Sequence, residues 1–158
     1  MKNYNSKKQI SEHLNKILGN ELIAINQYFI HGKILNHQGF KKLGDIVYKE
    51  SIDEMKHADI LIDRILYLEE TPNMLNYSDK IGVGNDPKSI FQNDLNLEIK
   101  AIADLQNAIK ACHDAKDFNS KKILEDILSS EEKHYEFLEE QLHLIKTVGI
   151  ENYLTTQI

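Results

Sequence analysis

Cysteine is almost missing from this chain. Cys112 stands alone, which excludes an internal disulfide framework and any Cys-x-x-Cys metal site, and which suits a reducing compartment such as the cytoplasm. Two Pro and seven Gly in 158 residues leave long stretches free of helix breakers. Nowhere do 18 apolar residues run together, so no segment predicts a membrane span. The polar opening Met1-Lys2-Asn3-Tyr4-Asn5-Ser6-Lys7-Lys8 lacks the apolar heart of a secretion signal. Basic residues are the minority, 19 Lys and Arg against 25 Asp and Glu for a net charge of -6, and they form no long run. Duplex nucleic acid is therefore repelled, whereas cations are drawn in. What remains is 41% hydrophobic, enough to predict one domain over residues 1–158 with its own core.

Apolar residues recur at helical spacing in four blocks, near residues 7–36, 41–69, 87–115 and 119–147; none alternates as a strand does. Ser6-Lys7-Lys8-Gln9 reads as a capping box for the first block, and Asp86-Pro87 as an N-cap followed by Pro at the first helical position of the third. Short turns join blocks one to two and three to four, predicting two antiparallel hairpins. The long connection, Thr71 to Asp86, has about sixteen residues and reaches roughly 53 Å when extended, against roughly 42 Å for a helix of about 28 residues. It can cross the whole bundle and make helices two and three parallel. Gly149 is a candidate C-cap, with a short fifth helix after it over Ile150-Glu151-Asn152-Tyr153-Leu154.

Helix two carries Glu54-Met55-Lys56-His57 and helix four carries Glu131-Glu132-Lys133-His134; at three residues apart, each Glu and His share a face. Helices one and three contribute Glu21 and Glu98 within otherwise apolar stripes. Ile10, Leu14, Ile17, Ile25, Tyr28 and Leu35 lie within roughly 40° of Glu21 at about 100° per residue. Glu21 to Glu98, Glu54 to Glu131 and His57 to His134 are each separated by 77 residues, so the second hairpin repeats the ligand pattern of the first. A lone Glu-x-x-His is usually solvated. Glu140-Gln141-Leu142-His143, nine residues beyond the second copy and so on the opposite face, is such a case. The inward copies differ, because four carboxylates among Leu and Ile require compensation and no Lys or Arg sits at their level. A pair of divalent cations is the natural compensator, with buried neutral carboxyls or a solvated cavity as the alternatives. Carboxylate with one imidazole per metal suits iron or manganese better than copper or structural zinc. Tyr28, two turns beyond Glu21, can bring its hydroxyl to the site or serve simply as a core aromatic. Cys112 reads as a small buried hydrophobe. Met55 points away from the ligand face by roughly 130°, with Tyr48, Ile52, Ile62 and Leu66 on the same outer side, an apolar stripe that one copy would leave in water.

Leu18-Gly19-Asn20-Glu21-Leu22, Asn26-Gln27-Tyr28-Phe29, the run Glu50-Ser51-Ile52-Asp53-Glu54-Met55-Lys56-His57-Ala58-Asp59, and Asn152-Tyr153-Leu154 resemble the bacterioferritins over essentially the whole chain. The resemblance implies an all-α, ferritin-like four-helix bundle that builds a hollow 24-subunit homo-oligomer from dimers. It implies an iron-storing ferroxidase taking Fe(II) and either dioxygen or hydrogen peroxide. By position, Glu21 and Glu98 become terminal ligands, Glu54 and Glu131 bridge the di-iron centre, and His57 and His134 each bind one iron. Met55 becomes an axial ligand to haem b shared between two subunits, with Leu22, Ile25, Asn26 and Phe29 as neighbours. Where some relatives have a histidine for an inner-surface iron site, this chain has Lys49 beside Asp53. Other di-iron oxidases or peroxidases, and a non-catalytic helical interaction module, are the rival readings.

Overall fold

The computed structural model describes residues 4–75 and 80–158. Five helices are present among these residues: α1 (Tyr4–His37), α2 (Lys41–Tyr67), α3 (Pro87–Asp114), α4 (Phe118–Val148) and α5 (Ile150–Thr155). The four long ones match the periodic blocks to within a few residues, and α5 follows Gly149, whose φ of 82° ends α4. Asp86 caps α3 as expected, accepting from the Ser89 backbone N–H while the Ser89 hydroxyl answers the Asp86 N–H. The first start differs. α1 is already helical at Tyr4, so Ser6 lies inside the first turn and is not an N-cap; the Ser-x-x-Gln spacing marks a cap only where the chain before it is not helical.

Cross-helix contacts fix the topology. Ser51 Oγ donates to the Ile25 carbonyl and Lys7 pairs with Glu69, so α1 and α2 run antiparallel. Gln27 bonds Asp94 while Asn20 bonds Asp104, so α1 and α3 are antiparallel too, and α2 and α3 are parallel. The connection from α2 to α3 travels along α1. Asn15 Nδ2 donates to the Thr71 carbonyl and Asn15 Oδ1 accepts from the Asn73 N–H; farther on, Gln27 and His31 accept from Gly82 and Gly84, and Gln38 donates to the Asn85 carbonyl. From Asn15 to Gln38 this covers roughly 35 Å at the helical rise.

The core falls into two apolar clusters. One contains Leu14, Ile17, Leu61, Leu105, Ala108 and Leu124; the other contains Tyr28, Leu35, Val47, Phe91, Leu138 and, from α5, Tyr153. Each fully buried aliphatic side chain contributes about 1.5–3 kcal/mol, and this packing offsets the cost of the polar layer between the clusters. Tyr153 closes its end by donating its hydroxyl to Gln141 Oε1 at 2.7 Å. No helix among the described residues is long and apolar enough to cross a membrane.

Candidate metal centre

Each of the four long helices delivers one glutamate to the interface between the clusters. Glu21, Glu54, Glu98 and Glu131 are all at most 2% exposed, because each occupies a core position in its helix's apolar stripe. His57 and His134 follow one turn after Glu54 and Glu131 and are also largely enclosed. The six residues selected by spacing thus come together, in two groups whose ligand atoms lie within 4.8 Å of one another: Glu21, Glu54, His57 and Glu131, and Glu54, Glu98, Glu131 and His134. Glu54 and Glu131 belong to both.

His57 Nδ1 lies 3.1 Å from Glu54 Oε2, 3.2 Å from Glu131 Oε1 and 3.4 Å from Glu21 Oε2. His134 Nδ1 lies 2.8 Å from Glu54 Oε1 and 3.7 Å from Glu98 Oε1. Close approach is not the same as satisfaction. Glu21 Oε2, Glu54 Oε1, Glu98 Oε2, Glu131 Oε1 and His134 Nδ1 are buried without a properly aligned hydrogen bond. Buried native polar atoms are seldom left so. Lone pairs that converge on shared points, on a hard carboxylate set with one imidazole per group, are the arrangement that divalent iron or manganese completes. The residues fit a cation pair.

Without cations the layer shares protons. Burial, then the Glu54 charge, pushes the Glu21 carboxyl well up; burial, then Glu21 and Glu54, pushes Glu131 up to about 12. For Glu54 burial acts upward too, but close polar contacts with Glu21, His134 and His57 outweigh it and hold the carboxyl well below its ordinary value. Burial acts to lower His57, yet the close carboxylates of Glu131, Glu21 and Glu54 carry it up to about 12. His134 is raised likewise, its burial outweighed first by Glu50.

Spacing singled out Tyr28 but not Glu50, Asp94, Gln27 or His31 beside this layer. Glu50, one turn before Glu54, lies against His134 Nε2 and forms a third, more open group with Asp53 and His134. Asp53 takes an ion pair from Lys56 at 3.1 Å, while Lys49 is exposed. Tyr28, 2% exposed, donates its hydroxyl to Glu98 Oε1; burial, then the Glu98 charge, pushes that hydroxyl well up and keeps its proton in place. Asp94, one turn before Glu98, is buried with Gln27 and His31. Their signal in the sequence was present but partial: Glu50 and Asp94 sit four residues before a ligand, on the same helix side.

The outward elements are where their phase puts them. Met55 is 61% exposed and lines an apolar recess of about 370 Å³ with Leu22, Ile25, Ile52, Ile62 and Met74; Asn26 and Phe29 are not among its lining residues. His143 lies exposed on the outer face of α4, its carbonyl accepting from the Thr147 hydroxyl. Cys112 is buried in the core.

Comparison with known proteins gives a consistent result. The Ferritin family, described as a ferritin-like domain, matches residues 11–148. A bacterioferritin of Streptomyces coelicolor is 41% identical over 150 residues, covering 95% of this chain and 89% of its own length. A bacterial ferritin of Synechocystis is 42% identical, covering 92% and 93%, and one of Pseudomonas aeruginosa is 41% identical, covering 95% and 97%.

Proposed function

Because the chain belongs to the ferritin-like family, among the bacterioferritins, we propose that it stores iron by oxidising Fe(II) at the buried carboxylate layer. The Fe(III) is then kept as mineral inside a hollow 24-subunit shell, in the cytoplasm. The observation that carries this reading is the pair of four-residue groups sharing Glu54 and Glu131. In it, Glu21 and Glu98 bind one Fe(II) each, Glu54 and Glu131 hold both, and His57 and His134 complete one each. The whole chain acts as one domain around this layer.

The residues supply binding, orientation and proton traffic. Bringing two Fe(II) together between shared carboxylates allows both electrons to leave in one encounter with the oxidant. Dioxygen takes two electrons and two protons to become hydrogen peroxide; peroxide as oxidant takes the same number to give two waters. Binding of Fe(II) displaces the protons held at His57 Nδ1 and on the raised carboxyls, because metal ligands must be deprotonated. Flexible glutamates then follow the contraction that accompanies oxidation to Fe(III), and His134, in contact with Glu50, stands where the layer opens outward.

The same reading assigns Met55 to haem, shared with a second copy across a two-fold contact. The apolar recess and the exposed thioether fit a flat hydrophobic macrocycle, whose iron the soft Met55 sulfur would hold. Bound haem supplies a one-electron redox group at that interface. Reconstitution with haem should give one haem per two chains, and Met55→Leu should lose the low-spin spectrum; an unchanged spectrum would remove Met55 as ligand.

For the central proposal, anaerobic Fe(II) titration should reach two per chain before mineral forms, with rapid oxidation when oxygen is admitted. Oxidation no faster than in buffer would reject the ferroxidase. A mass near one chain's 18.3 kDa would reject the shell.

A further inference from the structure

Beside the Glu98 and His134 end of the layer lies a second set of buried polar side chains with no ligand role in the reading above. Asp94 is fully enclosed, as is His31, and Gln27 is 1% exposed. Asp94 Oδ1 accepts from Gln27 Nε2 at 2.9 Å and from His31 Nδ1 at 2.8 Å. His31 Nε2 accepts from the Gly84 N–H at 2.9 Å, which leaves the ring proton on Nδ1, directed to Asp94. Gln27 Oε1 accepts from the Gly82 N–H at 2.9 Å. At Gly84 an added Cβ would stand 2.6 Å from the Ile90 nitrogen, so the chain passes here only as glycine.

These bonds bracket the contact of Tyr28 with Glu98. Gln27 and His31 flank Tyr28 on α1; Asp94 precedes Glu98 by one turn on α3, so their side chains share a face. Tyr28, Glu50, Asp94 and His134 also line one cavity of about 10 Å³. Among the described residues, the other half of the layer is surrounded differently. The residues 77 positions away from Tyr28, His31 and Asp94 are Leu105, Ala108 and Ile17, all buried apolar groups. The counterpart of Gln27 is Asp104, which turns to Asn20, Lys16 and Lys100.

We infer that Gln27, His31 and Asp94 are positioning residues for one cation position only, that of Glu98 and His134, and that the two positions therefore differ in affinity, this one being the tighter. The inference rests on the di-iron reading. Three α1–α3 hydrogen bonds hold Glu98 at a fixed distance and aim before any cation arrives, whereas Glu21, apart from Glu54 and His57 of the layer itself, is flanked by aliphatic side chains. Outer-sphere partners of this kind commonly alter metal affinity by about 10- to 100-fold.

The test is anaerobic Co(II) titration, read by its visible absorption, in two backgrounds. Glu21→Ala leaves the Glu98 and His134 position; Glu98→Ala leaves the Glu21 and His57 position. Adding Asp94→Leu should weaken Co(II) binding about tenfold in the first background and leave the second unchanged. Asp94→Asn retains an acceptor for both donors and should restore most of the affinity. If Asp94→Leu does not fold, Gln27→Leu, which removes one donor, is read the same way with a smaller effect. Equal weakening in both backgrounds, no weakening in either, or an Asn variant as weak as Leu would overturn the inference. A parent protein that fails to bind two Co(II) per chain would instead overturn the di-iron reading beneath it.

Discussion

The two halves of the carboxylate layer are built from the same residue types at the same spacing, yet their surroundings diverge within one helical turn. Around Glu98 and His134 stand Tyr28, Asp94, His31 and Glu50; around Glu21 and His57 the corresponding places hold Leu105, Ile17, Ala108 and Ile127, all buried. An aliphatic wall raises the cost of a charged ligand, and burial is the leading cause of the elevated Glu21 carboxyl. A hydrogen-bonded wall orients its ligand. A repeated hairpin thus supplies the same carboxylate and imidazole groups to both halves, and the residues that break the repeat give each half its own surroundings.

The largest effect should come from the residues common to both halves. Glu54→Ala is expected to abolish the rapid phase of Fe(II) oxidation in stopped flow and leave the helical fold intact. A parental initial rate would mean that the layer is not where oxidation occurs. The substitution should also destabilise the metal-free protein, on the order of 3 kcal/mol, since the protonated His57 and His134 lose the charged carboxylate they share.

Next in size is a pH effect that separates the metal-free from the loaded layer. His57, raised from 6.5 to about 12, contributes stability that is fully present below pH 6.5 and is lost as pH climbs toward 12. Glu131, raised from 4.5 to about 12, acts in the same direction above pH 4.5, because the folded chain keeps a proton that the unfolded chain releases. Glu54 is lowered, so its contribution is complete above pH 4.5 and constant across neutrality. The melting temperature of the chelated protein should therefore fall by several degrees between pH 6 and 9, and Co(II)-loaded protein should not show that fall. Parallel curves for the two forms would contradict the shared-proton account.

Smaller again is Tyr28→Phe, which removes from the Glu98 half one hydrogen bond to a carboxylate whose charge is shared with the cation, about 1 kcal/mol net. Affinity for the cation at that position should drop roughly fivefold while the Glu21 position is unchanged, measured in the same single-position backgrounds. Equal losses at both would mean that Tyr28 serves the layer as a whole. The smallest expected change is none: His143→Ala on the outer face of α4 should leave Fe(II) uptake and oxidation at parental values.

Much of this was legible in the chain before any coordinates. Four periodic blocks, the Asp86-Pro87 start and the glycine at position 149 fixed the helices, and a 77-residue spacing exposed six polar residues at core phase. Ser6 misled because capping residues are also tolerated in a first turn. Asp94 and Glu50 are invisible to the repeat, which marks only what the two hairpins share; their counterparts in the other copy are the buried aliphatics Ile17 and Ile127. His31 was harder still. Its partner is the backbone N–H of Gly84, in a connection with no periodicity to reveal which helix it follows.

The most direct measurement is anomalous diffraction from crystals loaded anaerobically with Fe(II). Two iron peaks per chain should appear between Glu54 and Glu131, one beside Glu21 and His57 and one beside Glu98 and His134, with the second the first to fill at low iron. Iron bound only at the surface, or a single peak shared by all six residues, would contradict the account.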